Sequence, residues 1–230
     1  MIDFSNPKYG LSGIHSTHLR SGEKQADVSE QLKEQHGYQL NYQKGGKINY
    51  FPITSYTDGS YQMDLMFPPK YKGVGIILCC IDISTRYLYA YCYKNKDQTY
   101  DYIKQFLEDL KRDNVKVTYI QMDRGSEFTN NNVKDLLKDI KFRYVNVGDK
   151  TAQGKVERVN ETIRRLLNNY ISSNNTNDWV SVFDDLIYNY NHRYNRGLGG
   201  IPAKANYKTS LDKDVKKYKL AQADFDKLSQ

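Results

Sequence analysis

Asp64, Asp123 and Glu157 are the residues through which this chain could do chemistry. Asp64 interrupts the apolar run Met63-Asp64-Leu65-Met66, where an ionised carboxylate is costly unless it is paired or metal-bound. Asp123 ends the run Tyr119-Ile120-Gln121-Met122 and precedes Arg124-Gly125-Ser126-Glu127-Phe128, where Gly125 is expected to permit a tight turn. Glu157 opens a helical segment in Gln153-Gly154-Lys155-Val156-Glu157-Arg158-Val159-Asn160. Three carboxylates from separate elements suit two hard divalent cations, which prefer carboxylate and water oxygens and keep positions open for substrate. Two such ions about 3.5–4 Å apart activate an attacking oxygen and stabilise the leaving oxygen of a phosphodiester. In that scheme Asp64 bridges both ions, Asp123 holds one and Glu157 the other. Any single member of the 27 acidic residues is more often a solvated or capping carboxylate. The set, in this order and context, carries the chemistry.

The elements that must position these side chains are legible from periodicity. Strands are expected over 60–67, 73–81, 86–93, 115–122 and 141–147, with turns at Asp58-Gly59, Pro68-Pro69-Lys70 and Asp82-Ile83-Ser84-Thr85. A helix over 98–112 places Ile103, Phe106, Leu107 and Leu110 on one face, and another is expected over 131–140. The glutamate helix, about 153–171, has the apolar stripe Val156, Val159, Ile163, Leu166, Leu167 and Tyr170. Glu157, Asn160, Glu161 and Arg164 share the neighbouring face. Asp178-Trp179 opens a last helix that ends at Arg196-Gly197. Three antiparallel strands followed by helix–strand–helix–strand–helix is the element order of an RNase H-like α/β fold, a mixed five-stranded sheet flanked by helices.

Residues 1–59 read as a small N-terminal helical module and linker, helix-turn-helix-like in its spacing, with a helix from Asp27 to His36 capped by Asp27 or by Ser21. His15 and His18 have half the spacing of a zinc site, but no second ligand pair follows, so surface histidines are expected. Residues 60–206 form the catalytic core, and 207–230 a charged tail or linker.

The net charge of +7 is unevenly placed: the chain is neutral over 1–60, +3 over 61–150 and +4 over 151–230. A basic surface beside an acidic cluster suits a polyanion, which binds by releasing counterions. The 21 tyrosines reflect composition more than stacking on bases. Cys79, Cys80 and Cys92 lie in apolar segments without CxxC spacing and read as reduced core residues. The sequence opens without a signal-peptide pattern, and its longest apolar run, 74–81, is too short for a bilayer. An intracellular protein that does not engage membranes is expected.

Tyr-Gln-Met-Asp64-Leu, Met-Asp123-Arg-Gly-Ser-Glu-Phe-Thr and Ala-Gln-Gly-Lys-Val-Glu157-Arg-Val-Asn together resemble the DDE catalytic core of retroviral-type integrases. The segment Trp179 … Tyr190-Asn191 … Gly199-Gly200-Ile201-Pro202 is similar to the stretch just after that core in retroelement integrases, so the resemblance spans roughly 60–206. Asn6-Pro7, Gly13 and Tyr38-Gln39-Leu40 are similar to the integrases of Polinton/Maverick-type transposons and virophages.

The resemblance implies an enzyme that trims the 3′ ends of element DNA and joins them to target DNA with two Mg²⁺ per site, Mn²⁺ being a substitute. It implies double-stranded DNA partners and a homo-oligomer, a tetramer or larger, on paired ends. It implies the host nucleus, or packaging in virions for a viral element. Gln153 would sit in a mobile loop made flexible by Gly154. Asn160 and Arg164 would meet the DNA end, with Lys155 and Arg158 reaching phosphates. Thirty-three residues (157 − 123 − 1) separate Asp123 from Glu157, slightly fewer than is usual. Arg124 stands where Asn is common, and neither a His-His-Cys-Cys zinc module nor a C-terminal barrel is recognisable. Two alternatives stand beside an integrase: an RNase H-like nuclease with Glu127 as fourth carboxylate, and a domesticated DNA-binding protein without activity.

Overall fold

The computed structural model describes residues 3, 5–35, 38, 57–145 and 153–205, with single positions at 208, 210, 212, 216 and 219. The expected connector at 44–47, the loop before the glutamate helix and most of the tail lie outside the described residues.

Five strands, β1 (Ser60–Met66), β2 (Ile76–Asp82), β3 (Leu88–Tyr93), β4 (Tyr119–Met122) and β5 (Lys141–Tyr144), form one sheet in the order β3-β2-β1-β4-β5. The β1–β2 and β2–β3 pairs are antiparallel, and β1–β4 and β4–β5 are parallel. The parallel pairs require crossovers, and helices supply them. The connections at β1 and between β2 and β3 are tight. Gly59, at φ +68, opens β1 where an added Cβ would lie 1.8 Å from the Lys116 carbonyl oxygen, so only glycine fits. Between β2 and β3, Asp82 Oδ1 accepts the backbone N–H of Ser84 and of Thr85, both at 2.7 Å.

The helices are α1 (Ile14–Ser21), α2 (Gln25–Lys33), α3 (Thr99–Arg112), α4 (Ser126–Thr129), α5 (Asn131–Leu136), α6 (Gly154–Asn174) and α7 (Phe183–His192). One sheet face is covered by Ile103, Phe106 and Leu110 of α3, with Phe128 and Val133 beside them. The other is covered by Val156, Val159, Ile163, Leu166 and Leu167 of α6, with Phe183, Leu186 and Tyr190 of α7. Each of these aliphatic side chains, fully buried, contributes about 1.5–3 kcal/mol. Trp179 is fully buried between the layers and donates its indole N–H to the Pro69 carbonyl at 2.8 Å. No helix among the described residues is long and apolar enough to cross a membrane.

The N-terminal residues lie against the core. Asn189 of α7, fully buried, donates to the carbonyls of Pro7 at 2.9 Å and Gly10 at 2.8 Å. Asn169 of α6 donates to Leu11 at 3.4 Å, and Leu11 packs into the α6–α7 side of the core. Residues 7–12 are thus a strap across α6 and α7. Beyond it, Val28 and Leu32 bury themselves against Ile14 and Tyr38.

Several boundaries differ from expectation. β4 starts at Tyr119 rather than at 115, because the Val115 N–H is taken by Leu110 at the end of α3. Neither Asp27 nor Ser21 caps α2; Lys24 holds that position without a side-chain bond, and Asp27 sits in the first turn. The last helix begins as a 3-10 turn at Val180–Val182 and ends at His192, before Arg193 turns extended. His15 packs edge-on against Tyr194 with ring centroids 5.1 Å apart, and His18 Nδ1 lies 2.5 Å from the Glu23 carbonyl. The three cysteines are free thiols, Cys79 and Cys80 buried and Cys92 half-buried.

Candidate active site

Side chains alternate along a strand, and that alternation builds the site. In β1, Tyr61, Met63 and Leu65 enter the core under α3, which leaves Gln62 and Asp64 on the α6 side. In β4, Ile120 and Met122 do the same, which leaves Gln121 on the α6 side and Asp123 just past the strand. Two aspartates on adjacent parallel strands therefore face one helix, and that helix carries Glu157 in its first turn.

Asp64 is half-buried. Its Oδ1 accepts the Leu65 N–H at 2.9 Å and its Oδ2 accepts the Asn160 side-chain amide at 2.7 Å. Burial pushes its pKa up to about 6, helped by the negative charges of Asp123 and Glu157 and opposed by the two hydrogen bonds. Asp123 and Glu157 thus stand near enough for their charges to act on Asp64.

Asp123 Oδ1 accepts the Gly125 N–H at 3.0 Å, closing the turn after β4. Gly125 itself has φ −58, a value open to any residue, so the expected reason for a glycine there does not hold. A Cβ there would meet only the end of the flexible Glu127 side chain, its carboxyl carbon at 2.8 Å, so nothing in the structure requires a glycine. Glu127 is engaged by Lys96 Nζ at 3.4 Å.

Glu157 is exposed, in the turn where the helix dipole favours an anion. Gln153, the N-cap, makes no side-chain cap bond of its own and is buried, its Nε2 directed at the Met63 carbonyl at 3.5 Å. Gly154 is the first helical residue. The N–H groups of Lys155 and Val156 are both accepted by Gln62 Oε1 at 3.1 Å, and Gln62 Nε2 reaches Gln121 Oε1 at 3.5 Å. Arg158, Glu161 and Arg164 are exposed along α6. The residues expected at DNA therefore divide: Arg158 and Arg164 face solvent and Lys155 is half-buried, whereas Gln153 and Asn160 turn their polar groups into the protein. The fully buried Gln62 and the buried Gln121 are not among the residues that the sequence singles out. Their signal is a polar residue two before each aspartate, hence on the same strand face.

The donors fit a hard divalent cation in kind: oxygen ligands only, with the charges of Asp123 and Glu157 acting on Asp64 and the Oδ1 of Asn160 buried and lacking a hydrogen-bond partner. Among the described residues, however, no three His, Cys, Asp or Glu side chains converge closely enough to hold an ion as they stand. Closing the site takes side-chain movement, for which exposed Glu157 has the room.

The integrase core domain family model matches residues 57–147, from the turn before β1 to just past β5. A transposon-derived protein of Caenorhabditis elegans is 30% identical over 159 residues, which is 66% of this chain and 54% of that protein. The chain thus spans about half the length of that relative. Among solved structures, the HTLV-2 integrase catalytic core domain in complex with magnesium, in a trimeric form, superposes with a TM-score of 0.53. It is 20% identical, over 66% of this chain and 98% of that one. The catalytic core domain of BIV integrase gives 0.52, with 19% identity over 70% of this chain and 99% of that one. A chain of the simian T-cell lymphotropic virus intasome in complex with PP2A regulatory subunit B56 gamma gives 0.53, with 18% identity over 79% of this chain and 65% of that one. At these identities the structures establish the fold, the mixed sheet of the RNase H-like class. The family-model match takes in the motifs of Asp64 and Asp123 and ends before Glu157, so residues 57–147 of this chain are similar to an integrase core domain.

Proposed function

We propose that this protein is a DNA integrase that trims the 3′ ends of a mobile element's or virus's DNA and joins them to target DNA by phosphoryl transfer at Asp64, Asp123 and Glu157. The observation that supports this reading is that β1, the turn after β4 and the first turn of α6 carry these carboxylates, with Asp123 and Glu157 near enough for their charges to act on Asp64. Mg²⁺, or Mn²⁺ in its stead, would be held by these three residues and would supply activation of the attacking oxygen and neutralisation of phosphoryl charge. The chain's own residues do the rest. Asn160 holds one Asp64 oxygen by a 2.7 Å bond and so fixes the plane of its carboxylate. Arg158 and Arg164, exposed on the same helix, and Lys155 at its start would take phosphates of a double-stranded DNA end.

The magnesium complex, the trimeric form and the intasome belong to the neighbouring structures, and they support the expectation of metal and of a homo-oligomer on DNA for this chain. An RNase H-like nuclease is less well supported, because its fourth carboxylate, Glu127, is engaged by Lys96. The test is incubation with Mg²⁺, labelled duplex ends pooled over random terminal sequences, and a plasmid target. Labelled strands covalently joined to plasmid, absent with Asp64→Asn, are the expected product. Cleavage without joining would instead make the protein a nuclease.

A further inference from the structure

Gln62 precedes Asp64 by two residues and Gln121 precedes Asp123 by two, so each glutamine lies one step below its aspartate on the same strand face. The two are direct partners in the β1–β4 register. Both are buried, Gln62 completely. A buried amide is costly unless its hydrogen bonds are made. Gln62 makes them to the third element of the site: its Oε1 accepts from Lys155 and Val156, the second and third residues of α6, each at 3.1 Å. Its Nε2 faces Gln121 Oε1 at 3.5 Å.

The first turn of a helix leaves N–H groups without partners in the helix, and a residue at the N-cap ordinarily satisfies them. Here the N-cap side chain does not. The cap comes from β1, 93 residues away in sequence from Lys155. A local cap would stabilise the helix wherever the helix went. A cap supplied by the strand beneath Asp64 also fixes where the helix starts relative to that strand, and Glu157 is the next residue along. A carboxylate there would bind the same N–H groups but would add a negative charge two residues from Asp64, on which Asp123 and Glu157 already act; an amide does not.

We infer that Gln62, braced by Gln121, is a positioning residue: it registers the first turn of α6 on β1 and so sets the approach of Glu157 to Asp64 and Asp123. This rests on the integrase reading for its consequence in catalysis but not for its structural content. The experiment therefore reads both, on the full chain. Amide hydrogen exchange of Lys155, Val156 and Glu157 is measured without metal in Gln62→Leu, Gln62→Glu and wild type. In parallel, the Mg²⁺ concentration for half-maximal strand transfer is separated from KM for DNA.

Gln62→Leu is expected to speed exchange at Lys155 and Val156 by about 10- to 100-fold, the cost of a lost buried hydrogen bond, while core amides of β2 stay protected. It is also expected to raise the half-saturating Mg²⁺ about 10-fold or more and leave KM for DNA within about twofold. Gln62→Glu, which keeps the acceptor, restores the protection. Should Gln62→Leu not fold, Gln121→Met keeps the cap but removes its brace, and a smaller rise in the same amide exchange is expected. Wild-type exchange and Mg²⁺ dependence in a folded Gln62→Leu, or a change confined to KM for DNA, overturns the inference. Failure of the wild-type protein to join DNA, with the exchange effects intact, would count against the integrase reading alone.

Discussion

Asn160 of α6 donates its side-chain amide to Oδ2 of Asp64 on β1 at 2.7 Å, across 96 positions of sequence. The bond holds the central carboxylate from the same helix that presents Glu157. Asn160→Ala removes this donor and is expected to slow single-turnover strand transfer about 10- to 100-fold with little change in DNA affinity. Asn160→Asp, which sets a fourth carboxylate against Asp64, should be the more damaging of the two. A wild-type rate in Asn160→Ala would remove Asn160 from the site.

Asp64→Asn, Asp123→Asn and Glu157→Gln each preserve shape and remove a charge. Each is expected to depress strand transfer by roughly 10³-fold or more, with DNA binding by fluorescence anisotropy within about threefold of wild type. Because the three act as a unit, the double substitutions should cost little beyond the singles. Substantial joining by any single variant contradicts the assignment of that carboxylate.

The pH dependence comes from Asp64. Its carboxyl titrates near 3.8 when unfolded and at about 6 when folded. Between those values the folded protein keeps a proton that the unfolded chain has released, so this group's contribution to stability falls as pH rises from about 4 to about 6 and stays low above. A divalent cation has the opposite preference, since it binds the ionised site. The rise in melting temperature on adding Mg²⁺ should accordingly be small near pH 5 and large near pH 7.5, and absent at both in Asp64→Asn. An increment independent of pH would show that the cation binds elsewhere.

Arg164 is exposed on α6 one helical face from the apolar stripe. If it meets a phosphate, Arg164→Ala lowers the slope of log affinity against log salt by about one unit. A greater loss on element ends than on random duplex would mark it as recognising the end rather than charge alone. An unchanged slope would leave Arg164 as a solvated helix-face residue.

Asn189 tests the strap. Asn189→Ala removes the donor to the Pro7 carbonyl and one of two donors to the Gly10 carbonyl, where Ser12 Oγ remains, and is expected to cost about 1–3 kcal/mol of stability. Limited proteolysis should then cut within residues 5–12 before the core is lost. Uncut strap with full stability would mean that Leu11 packing alone holds it.

Features that repeat with a period are legible in the sequence. The strand alternation at Tyr61, Met63 and Leu65 and the stripe from Val156 to Leu167 mark the elements, and three motifs mark the carboxylates. The spacing of Gln62 from Asp64 gives its strand face but not its partners, which are backbone N–H groups of a helix 93 residues away. Asn160 is expected at DNA from the resemblance of its motif. Its burial depends on how close β1 comes, which is a property of packing. Ends of elements are the least legible, as at Val115, where a helix claims an N–H that the strand pattern assigns to β4.

The strap has a consequence for how the chain is made. The Pro7 and Gly10 carbonyls meet Asn189 across 182 and 179 positions, so residues 7–12 leave the ribosome long before the helix on which they dock. Until α7 emerges, Leu11 has no berth and the α6 face lies uncovered, an apolar surface open to wrong partners. Contacts of such long separation also slow folding once synthesis ends. Docking of residues 7–12 is therefore an event that follows the synthesis of α7, and it closes over the apolar side that α6 and α7 share.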